Sequence, residues 1–376
     1  MAGIYVHIPF CKKACVYCDF HFSTSMKNKS ELVTCIQQEL KERKSYLDTN
    51  KIDTIYFGGG TPSLLEKQEL IDILTTIKQE YEINPDAEIT LEANPDDLTT
   101  EKLVELKECG INRLSIGIQS FVGRDLAFMN RSHTIKQAVD SVKNAQDLGF
   151  DNITIDLIYG IPNLSQNEWK RNIKKALELN VTHISAYCLT SEERTAMHSD
   201  IAKGKYELPN EDVTSEQFNT LIKMLKENDF EQYEISNFSK KGHISKHNSS
   251  YWKQKIFLGV GPSAHSFNTK TRYWNVSNNA RYIKGVKDGN WVYEEEVLDE
   301  KTRYNEYIMT SLRTSWGVDI DFLKTNFNSS FVAHFIKESK TYILDNSLIQ
   351  KGNFYTLSQN GKLLADRIAS ELFYVI

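Results

Sequence analysis

The hydrophobic positions of the first 190 residues change their period repeatedly along the chain. Short apolar, β-rich runs alternate with longer stretches in which apolar residues recur at helical spacing. Six such units predict a parallel sheet covered by helices, and six strands favour a partial (β/α)6 barrel over a closed eightfold one. The predicted strands are 4–8, 54–57, 88–91, 113–118, 153–158 and 183–187, and the predicted helices lie near 29–47, 66–81, 99–109, 134–148 and 166–179.

Residues at the predicted element boundaries agree with this alternation. Gly110 and Gly149 each follow a helical stretch, where glycine commonly ends a helix. The pair Asn84-Pro85 precedes the third strand, and we expect it to break the chain there. The first part of the chain, residues 1–190, is therefore predicted to be an α/β domain.

Polar residues gather at the ends of these predicted strands. The run Gly58–Ser63 (GGGTPS) follows the second strand, Glu92 closes the third, Gln119 closes the fourth, and Asp156 falls late in the fifth. In parallel barrels the carboxyl ends of the strands converge on one face. Each residue alone could be a solvated cap or an ordinary turn, but their common position predicts a shared site.

The glycine run within that set suggests a ligand class. Glycines let the backbone approach a ligand closely, because they carry no Cβ atom. The run matches neither GxGxxG nor the phosphate loop with its lysine. We therefore expect the ammonium or carboxylate of a bound amino acid there, not a triphosphate.

Three cysteines near the start have the spacing CxxxCxxC. Three thiolates leave one iron of a four-iron cube open, which predicts radical chemistry, whereas closed clusters take a fourth thiolate. Structural zinc sites usually combine two CxxC-like pairs, and this chain has no second pair. A zinc site or an inert reduced loop is the alternative to the cluster. The motif comprises Cys11, Cys15 and Cys18, and the cysteines outside it, which we expect to be small buried side chains, are Cys35, Cys109 and Cys188.

Composition narrows the class of protein. A chain of 376 residues with 40% hydrophobic and 25% charged residues is long enough for two or three domains. Its net charge of -5 provides no positive field that would attract nucleic acid. The longest apolar runs fall far short of the ~20 residues that cross a bilayer, and the chain passes directly into the cysteine motif. We expect a cytoplasmic protein with reduced thiols.

Taken together, these motifs resemble the radical S-adenosylmethionine (SAM) superfamily, in its oxygen-independent coproporphyrinogen dehydrogenase branch. The resemblance covers nearly the whole chain and includes CxxxCxxC, GGGTPS, Glu92, GIQSF around Gln119, NRSH around Arg131 and DLIYGIP around Asp156. Within that branch the chain is most similar to the HemW family of haem chaperones.

The resemblance implies a 4Fe-4S cluster held by Cys11, Cys15 and Cys18, with the amino and carboxylate groups of SAM on the fourth iron. It implies that Asp156 suits a ribose hydroxyl, because a carboxylate accepts hydrogen bonds. The residues that it assigns to the first SAM are Tyr5, Gly59, Gly60, Thr61 and Glu92, and those that it assigns to the rest of the cofactor pocket are Tyr17, Gln119, Arg131 and Asp156.

Two departures from the dehydrogenase pattern favour a haem chaperone. The dehydrogenases carry another cysteine two residues after the third ligand, where this chain has Phe20. They also carry roughly fifty residues before the motif, whereas Cys11 comes early here. The resemblance thus implies delivery of haem to respiratory haem proteins, with coproporphyrinogen III dehydrogenase as the alternative. Monomer or homodimer, and peripheral membrane contact, stay open.

The second half contains a haem candidate. His247, Asn248, Tyr251 and Trp252 form HNxxYW, which resembles the proposed haem-binding signature of that family. A neutral imidazole is a normal axial ligand to haem iron, and aromatic rings could cover the porphyrin. On a helix, His247 and Tyr251 would share a face. Ordinary aromatic packing is the alternative, and His243 and His265 are other nearby histidines.

The remaining regions are assigned mainly by the resemblance. Residues 191–300 would be an accessory region in which LGVGPSAHS (258–266) closes the SAM pocket. Residues 301–376 would form a winged-helix-like domain, with helices near 301–314, 319–325 and 331–344, then a strand, a turn capped by Ser358 and an amphipathic helix. Without a basic stripe, this domain is expected to be a partner or substrate lid, not a DNA binder.

Overall fold

The computed structural model describes residues 2–375 and places the six predicted strands side by side in chain order. All six are parallel, and the sheet is open because two further strands, Tyr293–Val297 and Glu231–Glu234, form its edges. This confirms the partial (β/α)6 barrel. The barrel strands are β1 (Gly3–Ile8), β2 (Lys51–Gly59), β3 (Glu82–Ala93), β4 (Arg113–Gln119), β5 (Ile153–Tyr159) and β6 (His183–Cys188).

The helices between these strands follow the predicted pattern, with two differences. One is a short helix, Gly123–Phe128, that was not predicted, and the other concerns the first helix. The first ends at Glu42 and is followed by a separate 3-10 turn at Lys44–Tyr46, so the predicted helix 29–47 is two elements. Gly110 and Gly149 have positive φ angles of 92° and 77°, as expected after helix ends. The helices are α1 (Lys29–Glu42), α2 (Lys67–Glu80), α3 (Thr100–Glu108), α4 (Gly123–Phe128), α5 (Ile135–Asp147) and α6 (Gln166–Glu178).

The prediction that Asn84-Pro85 breaks the chain before the third strand is wrong. Both residues lie inside β3, in a bulge where residues 84–87 stand opposite the single residue Asp53 of β2. The bulge tolerates proline because its backbone nitrogen has no ladder partner to lose. Asn84 donates a hydrogen bond to the Asp53 carboxylate, which holds the bulge in place.

The accessory region continues the barrel sheet at both edges. On one side β9 pairs in parallel with β1, and β10, β11 and β12 follow antiparallel. On the other side β8 pairs with β6, and β7 pairs with β8. The elements are α7 (Ala196–Ala202), α8 (Glu211–Lys226), β7 (Glu231–Glu234), β8 (Asn237–Ser239), α9 (Lys246–Trp252), β9 (Phe257–Val260), β10 (His265–Phe267), β11 (Thr271–Asn275), α10 (Asn279–Lys287) and β12 (Tyr293–Val297).

The C-terminal region forms a three-stranded antiparallel sheet with helices, in keeping with the winged-helix-like prediction. Ser358 caps the helix after the last strand, accepting a hydrogen bond from the Gly361 nitrogen at 3.0 Å. The amphipathic helix predicted there is divided into two. The elements are α11 (Glu300–Leu312), β13 (Val318–Asp319), α12 (Ile320–Asn326), α13 (Ser329–Leu344), β14 (Leu348–Lys351), β15 (Phe354–Leu357), α14 (Gln359–Lys362) and α15 (Ala365–Glu371).

Two hydrophobic cores underlie these regions. One runs through the barrel and the accessory region, and the second joins residues between 304 and 372. Ile235 packs against both. Its backbone nitrogen donates to the Arg313 carbonyl at 3.0 Å, and the Ser315 nitrogen donates to Tyr233 at 2.9 Å, so backbone hydrogen bonds join the two regions. Between residues 2 and 375, no helix is both long and apolar enough to span a bilayer.

Candidate functional site

The cysteine motif lies in a long loop between β1 and α1, at the mouth of the barrel. Its start is tied to the turn after β2, because Gly60 donates to the Ile8 carbonyl at 2.9 Å and Thr61 donates to the Phe10 carbonyl at 2.7 Å. The Cys11 nitrogen donates to Ser23 at 3.0 Å, which closes the loop on itself. The fold therefore holds the cysteines where the strands end.

Two polar side chains from the barrel reach the cysteine sulfurs. The Thr61 hydroxyl lies 3.4 Å from the Cys11 sulfur, and the Arg131 guanidinium lies 3.4 Å from the Cys15 sulfur. Burial raises the pKa of the Cys11 thiol, and it raises the pKa of Cys18 to about 12. A bound cation would reverse this, because a coordinating thiol loses its proton.

The six cysteines differ in burial, and none of them forms a disulfide. Among residues 2–375, no three His, Cys, Asp or Glu side chains are close enough together to hold one ion. All six cysteines are free thiols, and Cys35 and Cys109 are buried as expected, whereas Cys188 is half-buried.

Arg131 joins the cysteine loop to the barrel. Besides Cys15, its guanidinium donates to the Asn94 side chain at 2.6 Å and to the Gly117 carbonyl at 2.7 Å. Tyr17 lies beside Arg131 and Cys15, and burial raises the pKa of its phenol. Tyr17 and Arg131 are thus brought together at the mouth, where they support the cysteine loop.

Gln119 ends β4 close to this group in an uncommon conformation. Its φ is 67°, which non-glycine residues adopt rarely and which costs about 1–3 kcal/mol where it is held. A side chain at Gly117 would meet the Gln119 amide at 2.9 Å and the Arg131 guanidinium at 3.1 Å, so both side chains cover that glycine. Such strain is commonly kept at functional sites.

The glycine run is packed more tightly than the prediction of an open ligand cradle requires. A Cβ on Gly59 would lie 2.5 Å from the His7 ring, and one on Gly60 would lie 2.8 Å from the Phe10 backbone. Gly59 also has a φ of 106°. Glycine is needed at both positions because the chain packs against itself there.

Glu92 is a carboxylate close to the carboxyl end of β3. It accepts hydrogen bonds from the Tyr56 hydroxyl at 2.6 Å and from the Gly59 nitrogen at 3.2 Å. Burial raises its pKa to about 7, with the charge of Asp156 adding to the effect. A buried carboxylate with few partners is suited to bind a cationic group, because that group would compensate its charge.

Below the mouth, the barrel encloses a polar cavity of about 250 Å³. Asp156 lies in the middle of β5 and lines this cavity, where burial raises its pKa to about 6. The cavity brings together predicted residues from both halves of the chain: Tyr5, Gly59, Glu92, Asp156, His247, Asn248 and Tyr251. Gly60, Thr61, Gln119 and Arg131 lie at the mouth instead.

The HNxxYW motif forms α9, and His247 and Tyr251 share a face as predicted. Both nitrogens of the His247 ring form hydrogen bonds. Nδ1 lies 2.8 Å from the Thr54 hydroxyl, and Nε2 lies 2.8 Å from the Tyr251 hydroxyl. It stacks on Tyr56 with ring centres 4.9 Å apart. Trp252 points elsewhere, with its ring 5.7 Å from the Arg313 guanidinium. The motif is therefore divided between the cavity and the C-terminal region.

Several polar cavity residues were not predicted from the sequence. They alternate along strands that otherwise look fully apolar, and alternate residues of a strand face the same side of a sheet. A search for polar residues two positions apart would have found them. They are Arg113 and Ser115 on β4, Thr154 beside Asp156 on β5, and His183 and Ser185 on β6.

A second cavity, of about 610 Å³, adjoins the first and was also missed. Tyr5, Phe20 and Tyr251 line both cavities. The larger one opens beside Cys18 and extends to His265 on β10. Its volume lies within the range of about 300–1,000 Å³ that is usual for small-molecule sites.

Comparison with known proteins agrees with this architecture. The Radical SAM superfamily matches residues 5–176, and the HemN C-terminal domain matches residues 298–364. The coproporphyrinogen III oxidase HemN from Escherichia coli, described as a radical SAM enzyme, superposes with a TM-score of 0.85, covering 100% of this chain and 90% of its own. Their sequences are 21% identical, so the likeness shows the fold alone.

Two relatives named heme chaperone HemW are more similar in sequence. The protein from Lactococcus lactis is 35% identical over 327 residues, which cover 87% of this chain and 85% of the relative. The protein from Bacillus subtilis is 32% identical over 372 residues, which cover 98% of each. At this identity over nearly the full length, the chain belongs to the HemW family of radical SAM proteins.

Proposed function

We propose that this protein is a haem chaperone that carries a 4Fe-4S cluster and SAM, binds haem and delivers it to respiratory haem proteins. The observation that carries the proposal is full-length similarity to HemW relatives together with three cysteines at the mouth of the barrel. We infer that residues 1–190 hold the cluster and SAM, residues 191–300 close the pocket, and residues 301–376 act as a lid.

The residues at the mouth suit the cluster and SAM. Cys11, Cys15 and Cys18 would hold three irons, with Thr61 and Arg131 donating to their sulfurs. When bound, the cluster and SAM supply one-electron chemistry that side chains lack. The protein's own contribution is to orient these groups and to keep water away from them.

Glu92 and Asp156 suit the two polar ends of SAM. Glu92 would accept hydrogen bonds from the ammonium group, and Asp156 would accept one from a ribose hydroxyl. Tyr5 lines the cavity beside Glu92, and Tyr17, Gly59, Gly60 and Gln119 would complete the pocket wall. This assignment agrees with the sequence prediction and adds the Tyr56 hydroxyl as the group that orients Glu92.

The cysteine assignment can be tested by metal content. We expect Cys11→Ser, Cys15→Ser and Cys18→Ser each to lose most of the iron and the cluster absorbance after anaerobic reconstitution. Cys109→Ser is the matched control, because Cys109 is buried far along the chain from the loop. A Cys18→Ser variant with a full iron complement would contradict the assignment.

Haem delivery can be tested directly with the reconstituted protein. Haem should bind stably, and it should pass to a respiratory cytochrome apoprotein faster than free haem does. Comparing the protein with and without SAM would show whether the cofactor controls release. We place the protein in the cytoplasm. Flotation of the same preparation with lipid vesicles tests peripheral membrane contact, and sedimentation tests for a homodimer.

Coproporphyrinogen III dehydrogenase is the competing function. The likeness to HemN favours it only at the level of the fold. Phe20, which stands where dehydrogenases carry a further cysteine, argues against it. Incubation with SAM, a reductant and coproporphyrinogen should yield no protoporphyrinogen, and accumulation of that product would reverse the ranking.

A further inference from the structure

The geometry around His247 does not suit an axial haem ligand. Both ring nitrogens are within 2.8 Å of hydroxyl partners, and the residue is 1% exposed. The ring also lies beside Gly3, at the start of β1, whereas the cysteine loop follows the end of that strand. Six residues of strand span roughly 17–20 Å, so His247 lies deep in the barrel. The cavity that His247 lines measures only about 250 Å³ and also contains Glu92 and Asp156, which are assigned to SAM.

A groove on the accessory side of the barrel offers more space. It is formed by the 610 Å³ cavity and a neighbouring cavity of about 250 Å³, which share Tyr251, Phe257 and His265. The groove runs from Phe20, beside the cysteine loop, to Glu306 on α11. It is therefore bounded by the barrel, the accessory strands and the C-terminal region.

His265 lies where the two cavities meet and has its ring available. It is exposed, and neither ring nitrogen makes a hydrogen bond with any residue between 2 and 375. The ring stacks on Trp274 with centres 5.8 Å apart, which fixes its orientation. Desolvation, and then the charge of Arg272, lower the pKa of His265, which favours its neutral imidazole. Neutral imidazole is the form that binds haem iron.

The walls of the groove suit a flat apolar macrocycle. Phe257 and Phe267 face each other along β9 and β10, and Tyr251 packs edge-on against Phe257 with ring centres 4.7 Å apart. Phe20 is 68% exposed at the other end, which is unusual for so large an apolar side chain. Covering a porphyrin would remove these rings from water.

The groove also carries positive charges that suit the two propionates of haem. Arg194 lines the larger cavity and Lys255 lines the smaller one, and both side chains are exposed. Neither forms an ion pair with any described residue. Arg272, in contrast, is already paired with Glu296 and Glu306. Each therefore offers a cation to a propionate of haem.

The other histidines of the groove are engaged elsewhere. His7 is buried, with its nitrogens 3.1 Å from the Tyr5 hydroxyl and 3.0 Å from the His21 carbonyl. One nitrogen of His21 is 2.7 Å from the Asn279 side chain, so only its second nitrogen is available. Among the described residues of this groove, His265 is the histidine with both ring nitrogens available.

We propose that haem binds in this groove with His265 as an axial ligand to its iron, and that His247 does not contact the iron. This inference rests on the proposed function, because it assigns the site at which the carried haem would bind. The HNxxYW motif then shapes the barrel interior, and Tyr251 is its contribution to the groove.

The test is a haem titration of the full-length, cluster-reconstituted protein, followed by Soret absorbance and electron paramagnetic resonance. We expect His265→Ala to weaken haem binding at least tenfold and to lose the spectrum of imidazole ligation, which added imidazole should restore. His247→Gln, which retains hydrogen-bonding atoms, should bind haem within about twofold of the wild type. His243→Ala is the matched control, since His243 lies outside both cavities.

Iron content is measured on every variant, so that a folding defect is recognised by a lost cluster. Wild-type affinity and spectrum in His265→Ala would overturn the inference, as would loss of imidazole ligation in His247→Gln or His21→Ala with the cluster intact. These results would not contradict the proposed haem-chaperone function, but they would mean that haem binds at another site. If the wild-type protein binds no haem, the proposed function itself fails.

Discussion

At the scale of single residues, Glu92 links the site to stability. Burial raises its pKa from 4.5 to about 7, so the folded chain holds the proton more tightly than the unfolded chain does. The stabilisation from this proton is fully present below about pH 4.5 and is lost as the pH rises through 7. The cluster-free, SAM-free protein should therefore become less stable over this range.

Replacing Glu92 by Gln should reveal how much the ionised carboxylate destabilises the fold above pH 7. At pH 8 we expect Glu92→Gln to raise the free energy of unfolding of the cluster-free protein by roughly 2–3 kcal/mol, and at pH 4 to change it little. SAM binding should weaken at least tenfold, because an amide cannot neutralise an ammonium group. Urea unfolding at both pH values and SAM titration measure the two effects.

The exposed Glu231→Gln is the matched control for this prediction, and it should change neither quantity. Some pH dependence should survive in Glu92→Gln, because burial also raises the pKa of Asp156, to about 6. A variant less stable than the wild type at pH 8 would show that hydrogen bonds to Glu92 outweigh its burial.

Gly59 provides a second prediction at the residue scale. Gly59→Ala would place a Cβ 2.5 Å from the His7 ring in a backbone with a φ of 106°. We expect a loss of about 3 kcal/mol or more in the free energy of unfolding, and a reduced iron content, because the cysteine loop would be displaced.

Gly110→Ala separates the two causes of that loss. Gly110 has a similar φ of 92°, but a Cβ there would meet nothing within 4 Å. The free energy of unfolding of Gly110→Ala should fall only by the cost of the backbone strain, about 1–2 kcal/mol, and the variant should keep its iron. Equal losses in the two variants would mean that the collision with His7 relaxes at no cost.

At the scale of elements, α9 is held against the barrel by one buried carboxylate. Glu88 on β3 accepts hydrogen bonds from the backbone nitrogens of Lys246 and His247, both at 2.9 Å, and from the Ser245 hydroxyl at 3.3 Å. A negative charge is favourable at a helix N-terminus. The Arg113 guanidinium lies 3.8 Å from the same carboxylate.

Removing that carboxylate should loosen the whole helix. We expect Glu88→Ala to lower the free energy of unfolding by about 3–5 kcal/mol, because Arg113 would stay buried without its charged partner. Glu82→Ala, on the exposed start of the same strand, should cost no more than about 1 kcal/mol. Denaturant unfolding of both variants gives the comparison, and similar costs would exclude an anchoring role for Glu88.

At the scale of the whole molecule, the two hydrophobic cores allow the C-terminal region to be separated from the barrel. Among residues 287–375, none belongs to the buried core around the barrel. We expect a chain ending at Asp299 to retain its iron and to bind SAM within a few fold of the full chain. Its haem affinity should fall, because Glu306 and Thr310 would no longer wall the groove.

SAM affinity serves as the internal control for that truncation. Loss of both ligands would indicate that the barrel depends on the C-terminal core. Unchanged haem affinity would instead indicate that the groove is complete without α11. Iron content, SAM titration and haem titration on one preparation distinguish these outcomes.

The sequence alone determined the order of the barrel elements, and it predicted which polar residues follow the ends of the strands. Strand and helix periods are local properties, so all six barrel strands were found, and five of them within about three residues of their ends, whereas the third begins six residues before its predicted start. The spacing of Cys11, Cys15 and Cys18 is local as well. The break expected at Asn84-Pro85 was wrong because a bulge depends on the neighbouring strand.

Only the tertiary structure decided which side chains share a cavity and which are available to a ligand. From the sequence, His247 was the haem candidate because of the HNxxYW motif, and His265 was only another nearby histidine. Packing places hydroxyl groups at both nitrogens of His247 and leaves both nitrogens of His265 open to the groove. Availability depends on contacts between residues far apart in the chain, such as Thr54 with His247. The periodic pattern of apolar residues cannot predict such contacts.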